Sequence, residues 1–156
     1  MKEKFINTKI SVYAYTELSP EDKKLVDLAK NATKMSYAPY SEFYVGAALL
    51  LSNGEIVTGS NQENAAFPSG TCAERTSIYY AHSQYPEAKM EKLAIAAFHK
   101  GKFTEEPVSP CGACRQAILE YEKLGKDLIE IILYGEREVY VIQGIKALLP
   151  LQFDEF

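Results

Sequence analysis

At 156 residues, with 47% hydrophobic and 24% charged side chains, the chain has the size at which one domain buries roughly two thirds of its unfolded surface. A single globular domain is the expectation. The formal charge of −4 offers no basic field for a polyanion, which sets aside long nucleic acid and favours a small neutral or weakly charged ligand. The opening "MKEKFINTKISVYAY" interrupts every apolar stretch with charge, so neither a signal peptide nor a membrane span is expected, and three cysteines without a spaced framework suit thiols in a reducing cytoplasm.

Residues 1–18 carry only a weak alternation of Ile10, Val12 and Ala14, which fits an added strand or a surface arm, and they are read as an extension before one domain over residues 19–156. "SPED" places a capping Ser19 before Pro20 and two acids. Leu25, Leu28, Ala29, Ala32 and Met35 then recur at helical intervals, predicting a helix to about Tyr37. "FYVGAALLL" and "EIVTGSNQ" meet across Asn53-Gly54, the dipeptide of a tight hairpin.

After the loop "ENAAFPSG", "TCAERTSIYYAHSQY" reads as a helix and "LAIAAF" as a strand buried on both faces. "CGACRQAILEYEKLG" is a helix stopped at Gly125, "IEIILYG" and "EVYVIQ" are strands, and "GIKALLP" is a short closing helix. One helix, a hairpin and two helix-to-strand units predict an α/β fold: a mixed five-stranded sheet with helices on both faces, a three-layer α-β-α sandwich.

All three cysteines open helices, Cys72 one and Cys111 with Cys114 another. Helix N-termini carry partial positive charge and unpaired N–H donors, which favour thiolates and hence coordination of a cation such as zinc. Four protein ligands make a structural site, whereas three plus a water make a reactive one. There is no fourth cysteine, and His82 lies ten residues along its helix from Cys72, roughly 15 Å away. His99, at a strand end, stays open as a donor, its plainer reading being a surface loop histidine. Glu74, two positions after Cys72, sits in an open first turn from which both side chains reach one site, where a carboxylate does general acid/base work; alone it would merely complement the helix dipole. A redox dithiol leaves Cys72 and Glu74 without a task, a closed zinc knot wants another ligand, and plain core cysteines would not all open helices. An open zinc site uses all four residues.

Taken together, "TCAERT" and "SPCGACRQ" resemble the small cytidine deaminases, in which C-A-E and P-C-x-x-C supply zinc ligands and proton shuttle. The resemblance runs from about "YAPYSEFYVGAALL" to "LLPLQF". It implies the cytidine deaminase-like fold and zinc-dependent hydrolytic deamination of cytidine and deoxycytidine to uridine and deoxyuridine, with release of ammonia, in pyrimidine salvage. Cys72, Cys111 and Cys114 would hold zinc and Glu74 would move the proton. Asn61 and Glu63 would bond the ribose, Phe43 would pack on the pyrimidine, the Ala73 N–H would meet the base carbonyl, and the Ser109 carbonyl the amino group. Arg75 would bond the thiolates. A homotetramer with shared active sites is implied, with Phe153 entering a neighbour's pocket. Phe67 stands where many relatives carry Tyr, and "LLPLQF" lacks the Gly usual after its Pro.

Overall fold

The weak alternation near the N-terminus resolves into a short edge strand. β1 (Ser11–Tyr13) pairs antiparallel with the last strand of the chain, Val12 facing Tyr140, and just before it the Thr8 hydroxyl donates to the Ala147 carbonyl at 2.7 Å. The computed structural model describes residues 1–154. Ser19 caps α1 (Pro20–Ala32): its Oγ accepts the Asp22 N–H at 3.1 Å, with Pro20 and two acids in the first turn. The helix ends short of the predicted Tyr37. There the Thr33 hydroxyl donates to the Lys30 carbonyl at 2.7 Å, and a tighter 3-10 turn (Thr33–Met35) takes over.

β2 (Phe43–Leu51) and β3 (Ile56–Ser60) form the hairpin expected at Asn53-Gly54, with Gly54 at φ 85°, where a side chain would be strained. Beyond them come α2 (Ala73–Gln84), β4 (Met90–His99), β5 (Lys102–Phe103), α3 (Gly112–Gly125), β6 (Glu130–Tyr134) and β7 (Val139–Gln143). A 3-10 turn (Ile145–Ala147) follows where the short closing helix was predicted. The sheet order is β1-β7-β6-β4-β2-β3, with β5 paired to β4. The five predicted strands are all present, and the sheet has seven because β1 and the two-residue β5 add to them. Both additions are pairings made with distant strand edges, which local periodicity does not encode.

Alternate residues of the central strands face opposite layers. Ala47, Leu49, Leu93, Ile95, Ile131 and Leu133 pack under α2 and α3, while Ala48, Leu50, Ala94, Ala96 and Ile132 pack under α1. This is the three-layer arrangement, and it explains why "LAIAAF" shows no alternation: both faces are covered.

The topology also places the chemistry. β3 and β4 both run antiparallel to β2, so they are parallel to each other with β2 between them, and β4 is parallel to β6. Each crossover helix therefore begins beyond the C-terminal end of its strand: α2 follows β3, and α3 follows β4 after the two-residue β5 and a loop. Two helix N-termini thus open at the same end of the sheet. No helix among the described residues is long and apolar enough to cross a membrane.

Candidate metal centre

Cys72 and Cys111 occupy the capping positions of α2 and α3 in extended conformation, at φ −79°, ψ 158° and φ −65°, ψ 167°. Neither side chain caps its own helix, so both sulfurs turn toward the gap between the helix ends. Cys114, in the first turn of α3, is fully buried. The Cys72 and Cys111 sulfurs lie 3.8 Å apart and those of Cys111 and Cys114 3.5 Å, with all three ligand atoms within 4.8 Å of one another. Thiolates arranged tetrahedrally at about 2.3 Å from zinc would be separated by ~3.8 Å, so the trio fits that ion. Among the described residues no histidine or carboxylate joins this group. His82 and His99 both lie outside the group: His82 meets Tyr121 edge-on at 5.2 Å, and His99 Nδ1 is 2.9 Å from the Glu42 carbonyl.

The electrostatics suit a metal. Cys72 is drawn down to about 5 by the hydrogen bond from the Cys114 thiol and by Arg75, whose Nη2 lies 3.8 Å from its sulfur. Cys114 is pushed up by that same bond and by burial. A thiolate is thus ready in place, and a divalent ion must displace the remaining protons to complete the set. Glu74 is 4% exposed; burial raises its proton affinity, and the negative charge of Cys72 adds to the rise. A buried carboxyl with raised proton affinity is equipped to hold a proton.

Comparison with known proteins agrees with this geometry. The model of the cytidine and deoxycytidylate deaminase zinc-binding region matches residues 19–126. A cytidine deaminase of Sporosarcina psychrophila is 46% identical over 99 residues, covering 64% of this chain and 68% of the relative. The solved cytidine deaminase of Burkholderia pseudomallei is 34% identical at a TM-score of 0.71, covering 87% of this chain and all of the other. That of Mycobacterium tuberculosis is 31% identical at 0.68, covering 88% of this chain and all of the other. The chain belongs to the cytidine and deoxycytidylate deaminase family.

In this deaminase a cavity of about 460 Å³ opens beside the metal centre, its wall including Tyr40, Asn61, Glu63, Phe67, Cys72 and Arg75. Asn61 and Glu63 thus share the cavity wall with Cys72, but both are engaged with main chain. Asn61 Oδ1 accepts the Val45 N–H at 2.8 Å and Nδ2 donates to the Phe43 carbonyl at 2.9 Å, extending the β2–β3 ladder with a side chain. Glu63 accepts from the Ser41 hydroxyl and from the Tyr40 and Ser41 N–H groups at 2.9 and 3.3 Å, which hold its carboxyl below the usual range.

The other expected contact residues, Phe43, Ala73, Ser109 and Phe153, are not among the described residues lining this cavity. Phe43 is not part of its wall: half-buried at the start of β2, its ring lies 5.4 Å from that of His99. Ala73 is fully buried where α2 begins, and Ser109 is exposed in the loop ahead of α3. Phe153 is 67% exposed, and its carbonyl accepts from Gln116 Nε2 at 2.8 Å.

Two supports of the site escaped the sequence reading. Gln62 and Thr71 exchange backbone hydrogen bonds at 2.9 Å, closing the loop between them and delivering Cys72 to its position. At Gly59 a Cβ would stand 2.5 Å from the Ala73 carbonyl and 2.6 Å from the Ser77 N–H nitrogen, so only glycine lets α2 lie this close to β3. A glycine inside a strand was the available signal for that approach.

Proposed function

We propose that the chain hydrolytically deaminates cytidine and deoxycytidine, adding water oxygen at C4 of the base and releasing the exocyclic amine as ammonia. The observation that carries this reading is the convergence of three cysteine sulfurs beside the buried Glu74, with one of those cysteines, Cys72, on the wall of a cavity of about 460 Å³. Cys72, Cys111 and Cys114 hold zinc. Bound there, zinc supplies Lewis-acid activation of water, bringing its pKa toward ~7. Glu74 takes the proton from the attacking water, delivers it to ring N3, and then assists departure of the amine. Its buried position keeps that proton from bulk solvent. Arg75 offsets the excess negative charge of three thiolates against a divalent ion, which preserves the acidity the reaction needs.

Asn61 and Glu63 meet the sugar, Phe43 packs on the pyrimidine, the Ala73 N–H meets the base carbonyl and the Ser109 carbonyl the amino group. For Asn61 and Glu63 these roles use the lone pairs and protons left over from their backbone bonds. The family description also covers deoxycytidylate. Of the described residues lining the cavity only Arg75 is cationic, and it is committed to Cys72, while Glu63 adds negative charge. That lining favours the nucleoside over its 5′-phosphate. The working protein is a cytoplasmic homotetramer serving pyrimidine salvage, with Phe153 completing a neighbour's pocket, and residues 19–156 form the one catalytic domain.

Ammonia release from cytidine, deoxycytidine, their 5′-monophosphates and cytosine, with and without chelator, tests the reading. Turnover of the two nucleosides that is lost on chelation and restored by zinc is the expected result. One zinc per chain with no turnover of any aminopyrimidine would instead indicate a structural metal site.

A further inference from the structure

Cys111 is the exposed member of the sulfur trio, whereas Cys114 is buried inside α3 and Cys72 is bonded by Arg75. Its sulfur is also placed between the other two, 3.8 Å from one and 3.5 Å from the other. Something must keep this exposed residue, at the hinge between a loop and a helix, in register with the buried ones. Arg115 makes three contacts that do so. Its backbone N–H donates to the Cys111 carbonyl at 2.9 Å, and its side-chain Nε donates to the preceding carbonyl, that of Pro110, at 2.8 Å. Two consecutive peptide units flanking the Cys111 Cα are thereby held by one residue, which sets the direction of the Cα–Cβ bond and hence of the sulfur. From the same guanidinium, Nη1 donates to the Leu148 carbonyl at 2.5 Å.

Leu148 belongs to a rigid anchor. Its N–H donates to the carbonyl of fully buried Ile145 at 2.8 Å, and the Ile145 N–H donates to Glu122 Oε1 further along α3 at 2.8 Å. The C-terminal turn is therefore fastened to α3 at two points, and one of those points is also the clamp on the metal loop. The Arg115 side chain bonds the main-chain carbonyls of Pro110 and Leu148, so it works through backbone geometry, in contrast to Arg75, which bonds a sulfur directly.

We propose that Arg115 is a positioning residue for the metal centre: its planar fork locks the Pro110-Cys111 peptide against the C-terminal turn and so holds Cys111 in ligating position. The proposal rests on the three cysteines being the zinc ligands. A lysine cannot reproduce the fork, because a single ammonium does not present two fixed, coplanar donors.

The test is the rate of zinc transfer from the loaded full-length protein to a chromophoric chelator, for wild type, Arg115→Met, Arg115→Lys and Ile118→Val, with circular dichroism showing that each is folded. Loss of a group that orients a ligand typically weakens a metal site by about 10–100-fold, and Arg115→Met is expected to release zinc faster by that factor, with Arg115→Lys intermediate. Ile118→Val trims the buried face of α3 without touching the metal loop and is expected to keep the wild-type rate. Wild-type release from folded Arg115→Met overturns the proposal, as does equal acceleration in Ile118→Val, which would mean that any destabilisation of α3 frees the metal. Should Arg115→Met not fold, Arg115→Lys decides alone, and wild-type release from it overturns the proposal. Failure of the underlying ligand assignment looks different: the wild-type protein would then not bind one zinc per chain.

Discussion

Glu74 and Glu122 are both buried carboxyls whose affinity for a proton is raised by burial, and their neighbours assign them different work. Glu74 faces the sulfurs. Glu74→Gln keeps its shape but cannot carry a proton, so deamination is expected to fall by at least about 10²–10⁴-fold with zinc content unchanged, as read by ammonia release and metal analysis. Glu122 Oε1 accepts the N–H groups of Ile129 at 3.0 Å and Ile145 at 2.8 Å, far from any chemistry. Because its folded pKa lies above the unfolded value, its contribution to stability is full below the unfolded pKa and is lost as pH rises through the folded one. Glu122→Gln retains the acceptor and cannot ionise, so its thermal midpoint relative to wild type should improve as pH rises above the ordinary glutamate range. A flat difference would show that Glu122 does not titrate with folding. Asn61→Ala strips two backbone partners at the end of β3, and its expected signature is a stability loss of about 1–3 kcal/mol in urea unfolding alongside weaker cytidine use.

Among elements, the placement of α2 governs the site, because the helix carries Cys72, Glu74 and Arg75 together. Gly59 sets that placement: both atoms a Cβ would meet are backbone, at 2.5 and 2.6 Å, so nothing flexible can yield. Gly59→Ala is expected to cost about 1–3 kcal/mol and to leave less than one zinc per chain, since the helix must shift as a unit. Gly54→Ala offers the contrast. Its Cβ would point into open space, and the positive φ is the only penalty, so urea unfolding should show a loss while zinc content stays whole. Equal zinc content in the two variants would show that α2 tolerates displacement.

For the molecule as a whole, the N-terminal segment closes one edge of the sheet. Tyr15 and Tyr134 meet edge to face at 6.0 Å, with the Lys30 ammonium 5.6 and 4.5 Å from their ring centroids, and Leu18 is buried against α1. Deleting residues 1–10 removes exposed chain and the Thr8 bond, and is expected to change stability by no more than about 0.5 kcal/mol. Deleting residues 1–18 also removes the β1 pairing and Leu18, costs at least about 2 kcal/mol, and bares the β7 edge to association. Urea unfolding and light scattering measure both, and zinc content should survive either deletion. Equal stability of the two truncations would show that β1 and Leu18 contribute nothing.

Much of this was legible along the chain because short spacings obey local covalent geometry. Ser19 before Pro20, Asn53 before Gly54, Cys111 three residues from Cys114 on one helical turn, and Glu74 two residues from Cys72 each dictate a local shape whatever surrounds them. The weak points lay where partners are remote. Ile10, Val12 and Ala14 could not announce a strand whose ladder partner is Tyr140, and no spacing shows that Asn61 bonds the backbone of β2 or that Phe43 rests on His99. By itself the sequence determined the ligand types, the acid among them and the elements that carry them. Only the tertiary structure decided that Cys72 meets Cys111, because that meeting follows from two helices starting at the same end of parallel strands. Packing of the whole sheet creates that proximity, and no local rule contains it.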